Sequence, residues 1–280
     1  MSKYSEKRKA FKSRTKQAVQ EREKGGGKFS CIDFSRVDGV SFFKPVAKEK
    51  NLIDIIPFFT TQDWIRKMKG FNNTSLGIEK GDMLYKFEVP QHTKVGAEER
   101  VFLCLKFALG KSCPICNERE ALSKADDVDE DLIKSLWPKW RVLYNIIDKN
   151  EKDKVKAKKV WDSPYHSFEK FFLEEADEGE QGIVIFADPE DGKTIKFKGR
   201  EKSFPGGKCV EAGSISFMDR KRGYSEEDIQ NSISFDKYLK IPTYEEVEKC
   251  YFGILEREKA EEETSSKEKG EKKKKKKKDK

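Results

Sequence analysis

HTKVGAEERVFLCLKFALGKSCPIC, residues 92–116, is the stretch on which the reading of this chain turns. It sets His92, Cys104, Cys113 and Cys116 at the spacing H-x11-C-x8-C-x2-C. The whole chain has only two histidines and six cysteines, so half of its soft donors fall within this one segment. A tetrahedral zinc ion takes four N/S donors, and a Cys-x2-Cys knuckle closing on a more distant pair is a usual way to supply them. Pro114 inside the knuckle favours a tight turn that points both thiolates the same way. Four protein ligands leave no open coordination position. The expectation is therefore a single structural Zn2+, held in a module spanning residues 90–118.

Two plainer readings stand beside this one. A Cys-x-x-Cys pair can be a redox dithiol, although that motif normally sits where a strand feeds a helix in a thioredoxin-like unit, and no such pattern surrounds it. Cys104 lies in the apolar run Val101–Leu105, where a buried structural cysteine is ordinary. Cys31, Cys209 and Cys250 are scattered and read as free thiols. With no signal-peptide pattern at the start, this cysteine usage points to a reducing compartment.

Outward from the module, the flanks read mainly as strand. Leu52–Phe58 is a branched and aromatic run ended by Pro57, and residues 83–89 alternate and lead straight to His92. Residues 117–137 read as one acidic-surfaced helix stopped by Pro138. Residues 139–148 form the strongest strand candidate. Phe168–Phe172 reads as helix, and Gly182–Phe186 and Thr194–Lys198 as strands joined by an Asp188–Gly192 turn. Ile215–Phe217 is a short later strand. Ile241–Leu255 is a closing helix with Thr243 as its N-cap. The resulting class is mainly β with added helices (α+β), a small barrel or curved sheet of the OB-fold type with the zinc module inserted.

Charge divides the chain differently. The total of +8 is made of +7 in residues 1–28 and +4 in residues 256–280, which leaves the body at −3. A basic overall balance therefore does not by itself make the folded part a nucleic-acid binder; local clusters must do so. The first segment reads as a basic arm hinged at Gly25–Gly27, and the last, ending in Lys272–Lys278, as a disordered lysine-rich tail. No stretch approaches the roughly 20 apolar residues of a membrane helix.

Single-strand binding needs cations along the phosphates and flat rings for the bases. Three clusters offer both. On the strand at 139–148, Lys139 and Arg141 alternate with Trp140 and Tyr144, a pattern that an ordinary half-buried strand also shows. Lys156, Lys158 and Lys159 form a basic stripe beside Trp161, which a solvated loop would equally explain. Lys196, Phe197, Lys198 and Arg200 interleave a ring with cations. Walker, zincin and nucleophile-elbow motifs are absent, so the chain reads as a non-enzyme.

The ligand order His92, Cys104, Cys113, Cys116 with the Cys-Pro-Ile-Cys knuckle resembles the zinc module of the T-even phage gene-32-type single-stranded-DNA-binding (helix-destabilising) proteins. There the intervals before the second and third ligands are each one residue longer. The order of segments over residues 1–220 is similar in outline. The resemblance implies an OB-fold core that coats single-stranded DNA during viral replication, recombination and repair. It also implies zinc that stabilises the fold, self-association along DNA, contacts with phage replication and recombination proteins, and a place in the host bacterial cytoplasm. The cooperativity role of the family's arm would fall to Lys7, Arg8, Lys9, Lys12, Ser13, Arg14 and Thr15, where Ala10 and Phe11 break the family's basic-then-hydroxyl order. The family's acidic tail is replaced by polylysine, which cannot mimic phosphate. A second reading is a zinc-ribbon interaction or scaffold protein of a phage replication, transcription or virion complex.

Overall fold

A computed structural model describes residues 30–63, 78–125, 129–177, 186–204 and 207–253. The arm from Lys7 to Thr15, the lysine-rich tail, and all but the last residue of the strand expected over Gly182–Phe186 lie outside the described residues. The fold is mainly antiparallel β with helices between strands, an α+β architecture. In chain order the strands are β1 (Lys50–Ile56), β2 (Phe58–Phe59), β3 (Met83–Leu84), β4 (Phe87–Val95), β5 (Arg100–Leu103), β6 (Lys139–Asp148), β7 (Lys158–Pro164), β8 (Lys193–Phe204) and β9 (Gly207–Asp219).

Strand β6 organises the sheet, because Val142, Leu143, Tyr144, Ile146 and Ile147 make it apolar on both faces. One of its edges pairs with β7 from Arg141↔Pro164 to Ile147↔Lys158. The other edge is shared: its first half takes β4 (Gln91↔Lys139 to Phe87↔Leu143), its second half β1 (Ile56↔Asn145 to Ile53↔Asp148). Beyond β1 come β8 and then β9, and beyond β4 comes β5. Residues 41–49 then bridge the free edge of β7 to β8. The Phe43 N–H donates to Val160 O at 2.8 Å, the Val160 N–H to Ser41 O at 2.9 Å, and the Lys48 N–H to Gly199 O at 2.8 Å. Backbone hydrogen bonds thus form a closed ring through β1, β6, β7, this segment and β8. Closure depends on Gly199: a Cβ there would overlap the Val46 carbonyl oxygen and crowd Val210.

Alternation sends one face of each strand into the ring. Ile53, Ile55, Val142, Tyr144, Ile146, Trp161, Ile195 and Phe197 meet there around Phe168 and around Phe172 and Ala176 of helix α5 (Glu169–Asp177). Trp161 and Phe197 stack with centroids 5.6 Å apart and planes 4° from parallel. Tyr144, Trp161 and Phe197, expected at a DNA surface, are therefore core residues with at most 3% exposure. The burial of such rings is worth about 1.5–3 kcal/mol each, which outweighs any surface role. The Tyr144 hydroxyl is satisfied inside by donating to Glu169. Glu169 also accepts from Tyr85 at 3.1 Å and from Lys86 at 2.6 Å.

Several element boundaries differ from expectation. The single helix expected over 117–137 is two, α2 (Pro114–Leu122) and α3 (Glu130–Leu136), because Asp129 caps a fresh start by accepting from the Asp131 and Leu132 N–H groups. The short strands expected at Thr194–Lys198 and Ile215–Phe217 belong to the long β8–β9 hairpin. Within the lysine stripe, Lys154–Ala157 forms a one-turn helix, α4. Helix α6 spans Glu226–Gln230. The closing helix α7 occupies 244–253, with Thr243 and Glu246 exchanging backbone N–H bonds as a capping box. No helix among the described residues is long and apolar enough to cross a membrane.

Candidate metal centre and basic face

The four soft donors converge because three elements end at one point. His92 lies on β4, opposite Phe102 of β5. Cys104 follows β5 directly and starts helix α1 (Leu105–Leu109), which stops at Gly110 with φ +63°. That stop lets the chain reverse, and Cys113 then starts α2 with Pro114 in its first turn. The tight turn expected at Pro114 is thus the first turn of a helix, and it places Cys113 and Cys116 side by side. His92 Nε2 lies 3.5 Å from Cys113 Sγ and 3.6 Å from Cys116 Sγ, and Cys104 Sγ lies 3.5 Å from Cys116 Sγ. The four ligand atoms all fall within 4.8 Å of one another. A tetrahedral ion with Zn–S of about 2.3 Å and Zn–N of about 2.0 Å needs edges of roughly 3.5–3.8 Å. The cluster therefore fits a metal ion, with chemistry consistent with zinc.

All four ligands are buried, inside a shell that includes Val95, Phe102, Leu105, Ile115, Leu136 and Val247. Three thiols this close compete for charge. The hydrogen bonds from Cys104 and then Cys116 hold the Cys113 thiol far below its usual range, while its bond with Cys113 pushes Cys104 up to about 12. Cys116 is raised further, by the hydrogen bonds it makes with Cys104 and Cys113. A divalent cation resolves this competition by stabilising all three thiolates together. Around the centre, Lys106 pairs with Glu120 and ties α1 to α2.

The basic residues sort into spent and unspent charge. Arg141 donates to the Asp162 carboxylate and to the Asp162 carbonyl, both at 2.7 Å. Lys159 is held between Asp148 at 2.7 Å and Glu151 at 3.8 Å. Lys158 lies 3.7 Å from Asp228, and Lys156 lies 3.7 Å from Asp153. The stripe at 152–159 is thus largely neutralised by its own neighbours. Lys139 is exposed without an ion pair among the described residues, and Trp140 is half-buried with its ring centroid 6.4 Å from that of Phe107.

The third cluster behaves differently. Phe197 points inward, so Lys196, Lys198 and Arg200 share the outer face of β8. The register places Lys50 of β1 directly opposite Lys198. Lys50, Lys196, Lys198 and Arg200 have no carboxylate partner among the described residues, whereas the other cations of this hairpin do: Lys193 with Asp219, Lys202 with Glu211 and Lys208 with Glu201, each at 2.6 Å. Like charges directly opposed across strands cost stability. Gly213 leaves room for the Arg200 side chain to cross β9. On the same face, Ile147 pairs opposite Asp54 and leads to an open cleft of about 810 Å³ lined by Ile56, Lys149, Lys158, Arg222 and Tyr224. Lys50 was not singled out in the sequence, since only the β1–β8 register brings it to this face.

Compared with protein-family models and with curated proteins, the chain has no match.

Proposed function

We propose that this protein binds single-stranded DNA without sequence preference and coats it cooperatively during viral DNA replication, recombination and repair. The observation that carries this reading is the row of Lys50, Lys196, Lys198 and Arg200 on the outer face of β1 and β8, none with a carboxylate ion pair among the described residues. A row of cations that repel one another is relieved when phosphates lie along it. Side chains two residues apart on β8 recur about every 6.6 Å, comparable to the separation of successive phosphates in an extended strand. In this reading the hydrogen-bonded ring is an OB-type barrel, and the Cys3His centre holds one structural zinc. Residues 1–28 form the arm that contacts the next copy on the strand. The protein acts in the host bacterial cytoplasm, carries no catalytic site and also meets phage replication or recombination proteins.

Titration of the full-length protein with poly(dT) and with duplex DNA, each at low and at physiological salt, tests this. The expected result is tight, salt-sensitive binding to poly(dT) and much weaker binding to duplex. Four phosphate contacts give a slope of log affinity against log salt of about −3. Equal, weak binding to both would overturn the reading and favour a zinc-ribbon interaction protein.

A further inference from the structure

The metal module carries an aromatic surface that the basic row does not use. Trp137 is the first of the two residues between α3 and β6. Pro138 behind it favours extended backbone at Trp137, whose own N–H donates to the Lys134 carbonyl at 3.4 Å, so Trp137 is held from both sides. The Arg119 guanidinium lies 3.6 Å from the centre of the Trp137 ring. Arg119 itself is 7% exposed, bonds Glu120 through Nη2 at 3.2 Å and has no acceptor for Nη1 among the described residues. Phe107 flanks the indole at a centroid distance of 6.2 Å, with Trp140 behind it. Yet Trp137 remains 49% exposed. Arg119 and Phe107 thus hold the ring in place while about half of the residue stays open to solvent. Lys139, two residues on, is exposed and has no carboxylate partner among the described residues.

We propose that the exposed part of the Trp137 ring is a nucleobase-stacking site beside the metal module, held in place by Arg119. This rests on the single-strand reading above and adds to it a base-contacting residue remote in sequence from the phosphate-facing row. The guanidinium–indole pair extends the stack by one cationic layer, which strengthens its attraction for an electron-rich base.

The test compares a short oligothymidylate with an abasic oligomer of equal length, using the full-length, metal-loaded protein. Trp137→Ala is expected to weaken oligothymidylate binding about 5- to 150-fold, the range of one base–aromatic stack, and to leave abasic binding unchanged. Trp137→Phe should recover most of the loss. Should Trp137→Ala not fold, the Trp137 indole N–H resonance of the wild-type protein gives the same answer: it should shift with oligothymidylate and not with the abasic strand. An equal effect on both oligomers, or none on either, overturns the stacking site while leaving single-strand binding intact. If the wild-type protein binds neither oligomer, both readings fall. A Trp137 signal that shifts only with a protein partner also overturns the assignment.

Discussion

Reversing the charge of Lys198 separates a functional row from a structural one, because the two predict opposite signs. Lys198 faces Lys50 across the β1–β8 pairing and has Lys196 and Arg200 two residues away on the same face. In Lys198→Glu, one like-charge opposition disappears and one opposite-charge pair replaces it. Cross-strand pairs are worth about 0.2–1 kcal/mol. The site is exposed and screened, so the net gain is about 0.5–1 kcal/mol, or an increase in Tm of about 1–4 °C for a domain of this size. Lys and Glu are similarly poor strand formers, so propensity does not decide the sign. Binding should move the other way. Loss of one phosphate contact flattens the salt slope by about 0.7, and repulsion from the new carboxylate adds to that. Urea unfolding at low and high salt reads the first effect, which should shrink as salt screens the pair. Poly(dT) titration reads the second, with Lys198→Gln falling between. A destabilised Lys198→Glu protein, or a stabilised one with unchanged poly(dT) affinity, would refute the reasoning.

Other perturbations probe the scaffold. A metal chelator, or Cys113→Ser, should lower stability by several kcal/mol and abolish hydrogen-exchange protection across residues 92–116, because Val95, Phe102, Leu105, Ile115, Leu136 and Val247 pack around the four donors; unchanged protection in chelator would mean that the donors do not hold an ion. Gly199→Ala should cost about 1–3 kcal/mol by forcing the 41–49 segment off β8; a neutral result in thermal unfolding would show that the ring is not closed there. At high pH the Tyr85–Lys86–Tyr144–Glu169 network should fail. Burial and Glu169 raise both tyrosines, while for Lys86 burial opposes the charge but Glu169, Tyr85 and Glu88 outweigh it and raise it too. Groups raised on folding hold more protons in the native state, so their contribution is complete below the unfolded values near 10 and is lost as pH rises beyond them. Stability measured against pH should therefore fall above about pH 10, and less steeply in Glu169→Gln; a flat profile there would contradict the network.

The cluster of four soft donors was legible because the knuckle is local: Cys113 and Cys116 sit within one turn, and a Gly stop brings Cys104 to them. Strands β1 and β6 and the Thr243 cap were legible for the same reason, since composition and neighbours decide them. What failed was the assignment of faces. Alternation shows that β6, β7 and β8 have two sides, but helix α5 covers the side bearing Tyr144 and Trp161, and nothing local announces where it will pack. The break between α2 and α3 hid behind continuous helix-forming residues, with only Asp129 marking a new start. Segment 41–49, with Pro45 in its middle, closes the ring through isolated bridges and lacks the signature of a strand. Trp137 reads in sequence as the last residue before a helix-ending proline; only the fold brings Arg119 over its ring.

Long-range attraction and local placement have different sources in this chain. The two ends hold more than the whole net charge, and the body between them is slightly acidic. An acidic body repels a polyanion over most of its surface, so in the proposed single-strand reading a cationic row on one face would do more than add affinity: it would fix which face the strand meets. The same row would be redundant on a uniformly basic protein. Pairing every other cation of the β8–β9 hairpin with a carboxylate sharpens that contrast, because the paired ends carry no net field while the centre does. The arrangement costs the free protein stability at Lys50 and Lys198, and such a cost persists in a fold when a bound anion offsets it.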